Sequence, residues 1–212
     1  MGLKLKGSTS GSVEYDVPST IAGGDINFTL PGEDGAANQV LKTDGAGTLG
    51  WMNPGVLVDN YILTLSVTSA GVITNWARPS GAPFIGGANN SLNMTVASGE
   101  FSFPSSGYYQ VLFQPSVKTY STASDPSIDL EIQAKTGGGY GTVVGHELGG
   151  VQNKALWFQP TLSYIVRVPA GDVATARIQF NISGALGAST SYLEGGTTQV
   201  FTQCTFIKLG DV

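Results

Sequence analysis

The strongest constraint in this chain is strict two-residue alternation of apolar and polar side chains, interrupted only by glycine and proline. It is clearest around Gly99-Glu100-Phe101-Ser102-Phe103-Pro104-Ser105-Ser106-Gly107-Tyr108-Tyr109-Gln110-Val111-Leu112-Phe113. Phe101 and Phe103 share one face of a short strand. A Pro-Ser-Ser-Gly turn follows. Tyr109, Val111 and Phe113 then share one face of a second strand, with Tyr108, Gln110 and Leu112 on the other. Side chains alternate faces only in an extended chain. This stretch is therefore a hairpin or a sheet corner in an antiparallel fold.

The same period returns downstream. Ile128, Leu130, Ile132 and Ala134 oppose Asp129, Glu131, Gln133 and Lys135. Leu162, Tyr164, Val166 and Val168 form another stripe, as do Ala174, Ala176, Ile178, Phe180 and Ile182. Tyr61, Leu63, Leu65 and Val67 alternate earlier, Val72 to Trp76 and Leu92 to Val96 read as short strands, and Val200 to Leu209 closes the chain. No window holds a 3.6-residue apolar period, so almost no helix is expected. Roughly nine strands separated by turn signals predict a two-sheet β-sandwich.

Composition agrees. Charged residues make up only 12% of the 212 residues, while 30 glycines supply turns. The 41% hydrophobic content is enough for a core. A net charge of −5 with no basic cluster argues against nucleic acid, whose binding depends on phosphate neutralisation. No apolar run is long enough for a membrane helix, and Met1 to Lys6 lacks the apolar core of a secretory signal. The single Cys204 falls in a strand pattern, where a buried, inert thiol is expected.

Catalytic signals are weak. His146 is the one histidine; it stands between Gly145 and Glu147 in an expected surface loop, without the neighbours a zinc site or a triad needs. Gly137 to Gly141 is glycine-rich, but no helix pattern follows to hold a phosphate. Asp129 and Glu131 read as a solvated strand face rather than a glycosidase pair. No enzymatic activity, metal or other cofactor is expected.

The first 54 residues differ from the rest. Their apolar residues are scattered, and Val13 to Val17 and Ile26 to Leu30 are short extended pieces too small to bury much surface alone. Asp34-Gly35 and Asp44-Gly45 read as tight turns, with Gln39 to Thr43 and Thr48 to Trp51 as strands. Asn53-Pro54-Gly55 punctuates the chain, giving an extended segment over 1–54 and a sandwich over 55–212.

Two resemblances refine this. Phe101 to Phe113, with its Phe-Pro-Ser-Ser-Gly-Tyr-Tyr corner, resembles a corner of the C1q/tumour-necrosis-factor (TNF)-like jelly rolls. Val166-Arg167-Val168-Pro169-Ala170-Gly171-Asp172 looks like a late corner of the same fold. The resemblance implies an all-β jelly roll that forms a homotrimer, with some of Phe101, Phe103, Gly107, Tyr108, Tyr109, Val111 and Phe113 on a three-fold seam.

Phe28-Thr29-Leu30-Pro31, followed by Asp34-Gly35, then Gln39-Val40-Leu41-Lys42-Thr43-Asp44-Gly45, then Leu49 and Trp51, resembles a segment of bacteriophage tail fibres and capsid-attached fibres, notably of marine phages. It implies a virion protein on the particle's exterior whose N-terminal segment contacts a capsid or tail protein. Phe28, Leu30, Pro31, Val40, Leu41, Asp44, Gly45, Leu49 and Trp51 would form that attachment and neck. An alternative function is host recognition, the jelly roll gripping a cell-surface glycan through Trp76, Tyr120, Asn153 and Trp157.

Overall fold

The computed structural model describes residues 3–6, 12–15, 27–37, 39–52, 56–80, 92–119, 127–135, 137–148, 157–184, 186, 191–197 and 199–212. The chain forms two compact units, Met1–Gly55 and Val56–Val212. Tyr120, Asn153 and the punctuation at Asn53 to Gly55 lie outside the described residues.

In the first unit, β1 (Leu3–Lys6) pairs antiparallel with β2 (Ser12–Tyr15). A second hairpin joins β3 (Val40–Thr43) to β4 (Leu49–Met52), with Leu41 opposite Trp51 and Thr43 opposite Leu49. Thr29 makes a parallel bridge to Thr48, accepting a bond from Leu49 N at 2.8 Å and donating to Gly47 O at 2.9 Å.

The second unit continues with β5 (Leu57–Leu63), β6 (Gly71–Val72), β7 (Trp76–Ala77), β8 (Thr95–Ala97), β9 (Glu100–Ser102), β10 (Gly107–Gln114), β11 (Val117–Thr119) and β12 (Ile128–Lys135). It closes with β13 (Gly141–Leu148), β14 (Trp157–Phe158), β15 (Leu162–Val168), β16 (Arg177–Gly184), β17 (Ser191–Leu193) and β18 (Gln203–Gly210). Among the described residues these strands form a five-stranded sheet ordered β15-β10-β18-β5-β7, a six-stranded sheet ordered β13-β12-β16-β9-β8 with β6 also on β16, and a small sheet β14-β11-β17. The one helical turn among them is Ala170–Asp172. The fold is an all-β, antiparallel jelly-roll sandwich. Its neighbouring strands are mostly distant in sequence.

The core is aromatic. Phe101 of the six-stranded sheet meets Tyr61 and Phe206 of the five-stranded sheet at 5.0 and 4.8 Å between ring centroids. Phe180 of the six-stranded sheet meets Phe113 of the other at 4.6 Å. Most of these rings lie edge to face or tilted, the arrangement that ring quadrupoles favour. The alternation expected in β10 is present, with Tyr109, Val111 and Phe113 fully buried. So is that of β12, where Ile128, Leu130 and Ile132 face inward.

The central stretch is a corner rather than a hairpin. β9 belongs to the six-stranded sheet and β10 to the five-stranded one, so Pro104 to Ser106 carry the chain across the sandwich. Two features hold the corner. Tyr109 Oη donates to Ser105 O at 2.7 Å. A Cβ on Gly107 would sit 2.6 Å from Gly210 O, so only glycine fits where the two strands close up.

Other expectations are corrected. The stripe Tyr61-Leu63-Leu65-Val67 breaks after Leu63, and Leu65 is exposed. The strand ends there, and Val67 bridges instead to Leu193 of the small sheet. Residues 72–76 are not one strand. β6 pairs with β16 and β7 with β5, so this piece too crosses between sheets, with Ile73 buried at the crossing. His146 lies exposed within strand β13, opposite Leu130, not in a loop. Asp129 and Glu131 are half-buried in a polar ladder rather than freely solvated. Glu131 Oε2 accepts from Gln133 at 2.6 Å and Asn181 at 3.2 Å, and Asp129 Oδ2 from Ser183 at 3.2 Å.

Two predictions follow from this packing. Phe101→Ala leaves a cavity at the meeting point of the rings and should cost about 3–5 kcal/mol in urea unfolding. Cys204 is fully buried, and burial pushes its thiol well above the ordinary range. It should therefore react with a thiol reagent only after denaturant unfolds the chain, and rapid labelling of the native protein would contradict this packing.

Candidate functional site

The β3–β4 hairpin is built by its turn. Asp44 Oδ1 accepts from Ala46 N at 2.8 Å and Thr48 N at 3.0 Å, while Gly45 and Gly47 take positive φ of 83° and 96°. The amides of Ala46 and Thr48 hold the Asp44 carboxyl below its ordinary value. Asp34-Gly35 works differently from the tight turn expected. Gly35 is not in the left-handed region; it is small because Trp51 packs on it, and a Cβ there would come within 2.6 Å of the indole. Trp51 Nε1 donates to Glu33 O at 2.9 Å, fixing the ring.

The hairpin unit leaves much apolar surface open. Phe28 is 60% exposed, Leu30 69%, Val40 43%, Leu41 45% and Trp51 42%. Leu30, Pro31, Leu41 and Trp51, together with Gly32 to Asp34, line a concavity of about 500 Å³. Leu49 is half-buried, and Asp44 and Gly45 are exposed at the turn.

In the sandwich, Phe101, Phe103, Tyr109, Val111 and Phe113 all face the protomer's own core, so they are not available to a seam. Tyr108 is 40% exposed on the outer face of the five-stranded sheet. Ile165 and Leu209 are also exposed, with Ile165 opposite Gln110 in register. Trp76 is not a glycan contact. It is buried, donates through Nε1 to Ile73 O at 2.8 Å and packs on Phe101, Phe113 and Phe180. In sequence Trp76 ends the expected strand Val72 to Trp76, next to the Arg78-Pro79 turn, but β7 turns it inward. Trp157 is 67% exposed on β14, with Lys118 Nζ 5.1 Å from its ring centroid.

The structure also shows residues that the sequence reading passed over. Asp59 is fully buried and pairs bidentately with Arg78 at 3.0 and 2.7 Å. Arg78 also donates to Met94 O and lies 5.0 Å above the Tyr61 ring, whose hydroxyl donates to Met94 O at 2.6 Å. The available signal was parity, since Asp59 occupies the inward position of the stripe that Tyr61 and Leu63 continue. Among the described residues no three His, Cys, Asp or Glu side chains gather as metal ligands.

No protein-family model matches this sequence, and no curated protein matches it. Among solved structures, the TNF protein Eiger from S. frugiperda is similar, with a TM-score of 0.51 at 13% identity over 74% of this chain and 94% of that one. At this identity the likeness concerns the fold alone, a jelly-roll sandwich like that of the TNF protein.

The turn geometry makes the hairpin acid-sensitive. A carboxyl with a lowered folded value contributes its full stabilisation above the ordinary aspartate range, near ~3.9, and loses it as pH falls through the folded value. Amide exchange protection at Ala46 and Thr48 should therefore drop below about pH 4, and Asp44→Ala should remove it at neutral pH. Protection unchanged by acid would assign the turn to backbone geometry alone.

Proposed function

We propose that this chain is a structural protein of a bacteriophage particle: a short homotrimeric fibre or capsid-decoration protein, without enzymatic activity. Its N-terminal unit attaches to a capsid or tail protein, and its jelly roll projects outward from the particle. The observation that carries this reading is the contrast between the two units. The sandwich encloses its own aromatic core, whereas the small hairpin unit leaves Phe28, Leu30, Val40, Leu41 and Trp51 open to a partner. Those residues lie in the segment that resembles phage fibre proteins. A hairpin unit of this size gains order by laying its strands and anchors on another surface.

The trimer in this reading uses the outer face of the five-stranded sheet. Tyr108, Ile165 and Leu209 are exposed there, and closed symmetry is the usual outcome of self-association. Light scattering should return about three times the 21.9 kDa chain mass. Ile165→Asp should reduce it to a monomer with the fold intact, because the substituted side chain is exposed. A monomeric wild type at micromolar concentration would remove the trimer from the reading.

Attachment is tested separately. Protein lacking residues 1–50 should remain folded and trimeric but fail to join particles depleted of the full-length chain. Trp51→Ala should weaken joining while leaving the sandwich's melting unchanged. Equal incorporation of truncated and intact protein would put the anchor in the jelly roll.

A further inference from the structure

We propose that the notch where β10, β15 and β18 run into the small sheet is a binding site for a neutral saccharide. Gln114 ends β10 and Gln203 begins β18. Gln159 and Thr161 lie in the link from β14 to β15, and Val200 and Phe201 lead into β18. These six residues line a cavity of about 470 Å³, a size within the range of small-molecule clefts.

The chemistry of the lining is specific. It holds three carboxamides and a hydroxyl, and no side chain that ionises. An amide donates and accepts at once, which matches the mixed character of sugar hydroxyls. The six lining residues give an anion nothing to offset its desolvation, and the charge at the edge of the site is the Lys118 ammonium held against the Trp157 ring. The amides are also relayed. Asn60 Nδ2 donates to Gln203 Oε1 at 3.3 Å, and Gln203 Nε2 donates to Gln114 Oε1 at 2.8 Å. The relay leaves the Gln114 amino group as an open donor among the described residues, beside the uncommitted side chains of Gln159 and Thr161.

The segment that carries Phe201 and Gln203 into β18 is held by its own bonds. Thr202 is fully buried, its Oγ1 accepts from Ser116 N at 2.9 Å, and its carbonyl accepts from Leu63 N at 2.9 Å. The Phe201 ring lies against Gly196, where a Cβ would approach to 3.1 Å. Lining residues held in place before a ligand arrives lower the ordering cost of binding.

Trp157 supplies an apolar platform beside the notch. It precedes Gln159 and Thr161 at two-residue spacing, and exposure alternates through Trp157, Gln159 and Thr161 before Leu162 turns inward. Lys118 is opposite both Trp157 and Tyr192 in register, and its ammonium lies near both rings. That contact steadies the indole while leaving it 67% exposed, free to stack on the C–H face of a sugar ring. Gln114 is six residues along β10 from Tyr108, about 20 Å, and four from Gln110, the register partner of Ile165, about 13 Å at strand rise. The notch and the proposed trimer seam are therefore separate regions of the sheet, and the saccharide site holds or fails independently of virion attachment.

The test is saturation-transfer NMR on the full-length protein with glucose, galactose, mannose, N-acetylglucosamine and lactose, and with sialyllactose as the charged comparator. At least one neutral sugar should receive saturation, and more than sialyllactose does. Gln159→Ala and Thr161→Val are at exposed positions and should leave melting unchanged, yet each should weaken binding about three- to tenfold. Trp157→Ala should abolish transfer to the ring C–H protons. Three results would overturn the proposal: no transfer to any neutral sugar, transfer that survives all three substitutions, or a preference for sialyllactose that disappears with Lys118→Gln.

Discussion

The sandwich depends on the meeting of rings between its two sheets. Phe101 touches Tyr61, Trp76, Phe180 and Phe206, and Phe113 closes on Phe180 from the other side. Those rings come from strands far apart in the chain. Their packing is what makes distant pairings such as β10 with β18 and β9 with β16 mutually consistent. The corner at Pro104 to Gly107 follows from the same requirement. Phe101 must face the core from one sheet and Tyr109 from the other, so the chain has to change sheets within a few residues.

Most polar groups are arranged around that core; those buried among the described residues are Ser116, Thr119, Gln179, Ser191, Thr202 and one charged group. Gln133, Gln179, Asn181 and Ser183 satisfy the carboxylates and amides on the outer face of β12 and β16. The charged group is Asp59, a buried carboxylate whose cost is offset by a bidentate guanidinium. A charge in that position tolerates few alternatives, since removing either partner strands the other in a poorly solvated place.

Much of the sandwich could be read from the sequence because its long strands obey one rule. In β10, β12 and β15 a single parity of residues faces the core, and that parity is visible in the letters. The rule fails where the chain changes sheets. Leu65 continues an apolar stripe in sequence but stands outside, because the strand stops at Leu63. Trp76 sits in a two-residue strand among turn residues, too short for any period, and its burial comes from rings brought in by β9, β10 and β16. The aromatics of the 101–113 stretch, Phe101, Phe103, Tyr108, Tyr109 and Phe113, are more than one hairpin face needs; four of them are buried and divide between two facing sheets, while Tyr108 stands outside. Gln114, Gln159 and Gln203 carry no local signal at all, because only pairing across three strands gathers them.

The Arg78 guanidinium has a consequence for how this fold can vary. It binds Asp59 on β5 and the carbonyl of Met94 together, and Tyr61 binds that same carbonyl. Positions 78 and 94 are thus fixed to one another by the body of the sandwich, whatever joins them. The entropy of closing a loop grows only with the logarithm of its length, by about 0.6 kcal/mol for each doubling. The length of chain joining Arg78 to Met94 therefore bears little on the closure cost of this pairing, whereas Pro79 and Leu92, both buried, tie the two ends of the interval to the sandwich.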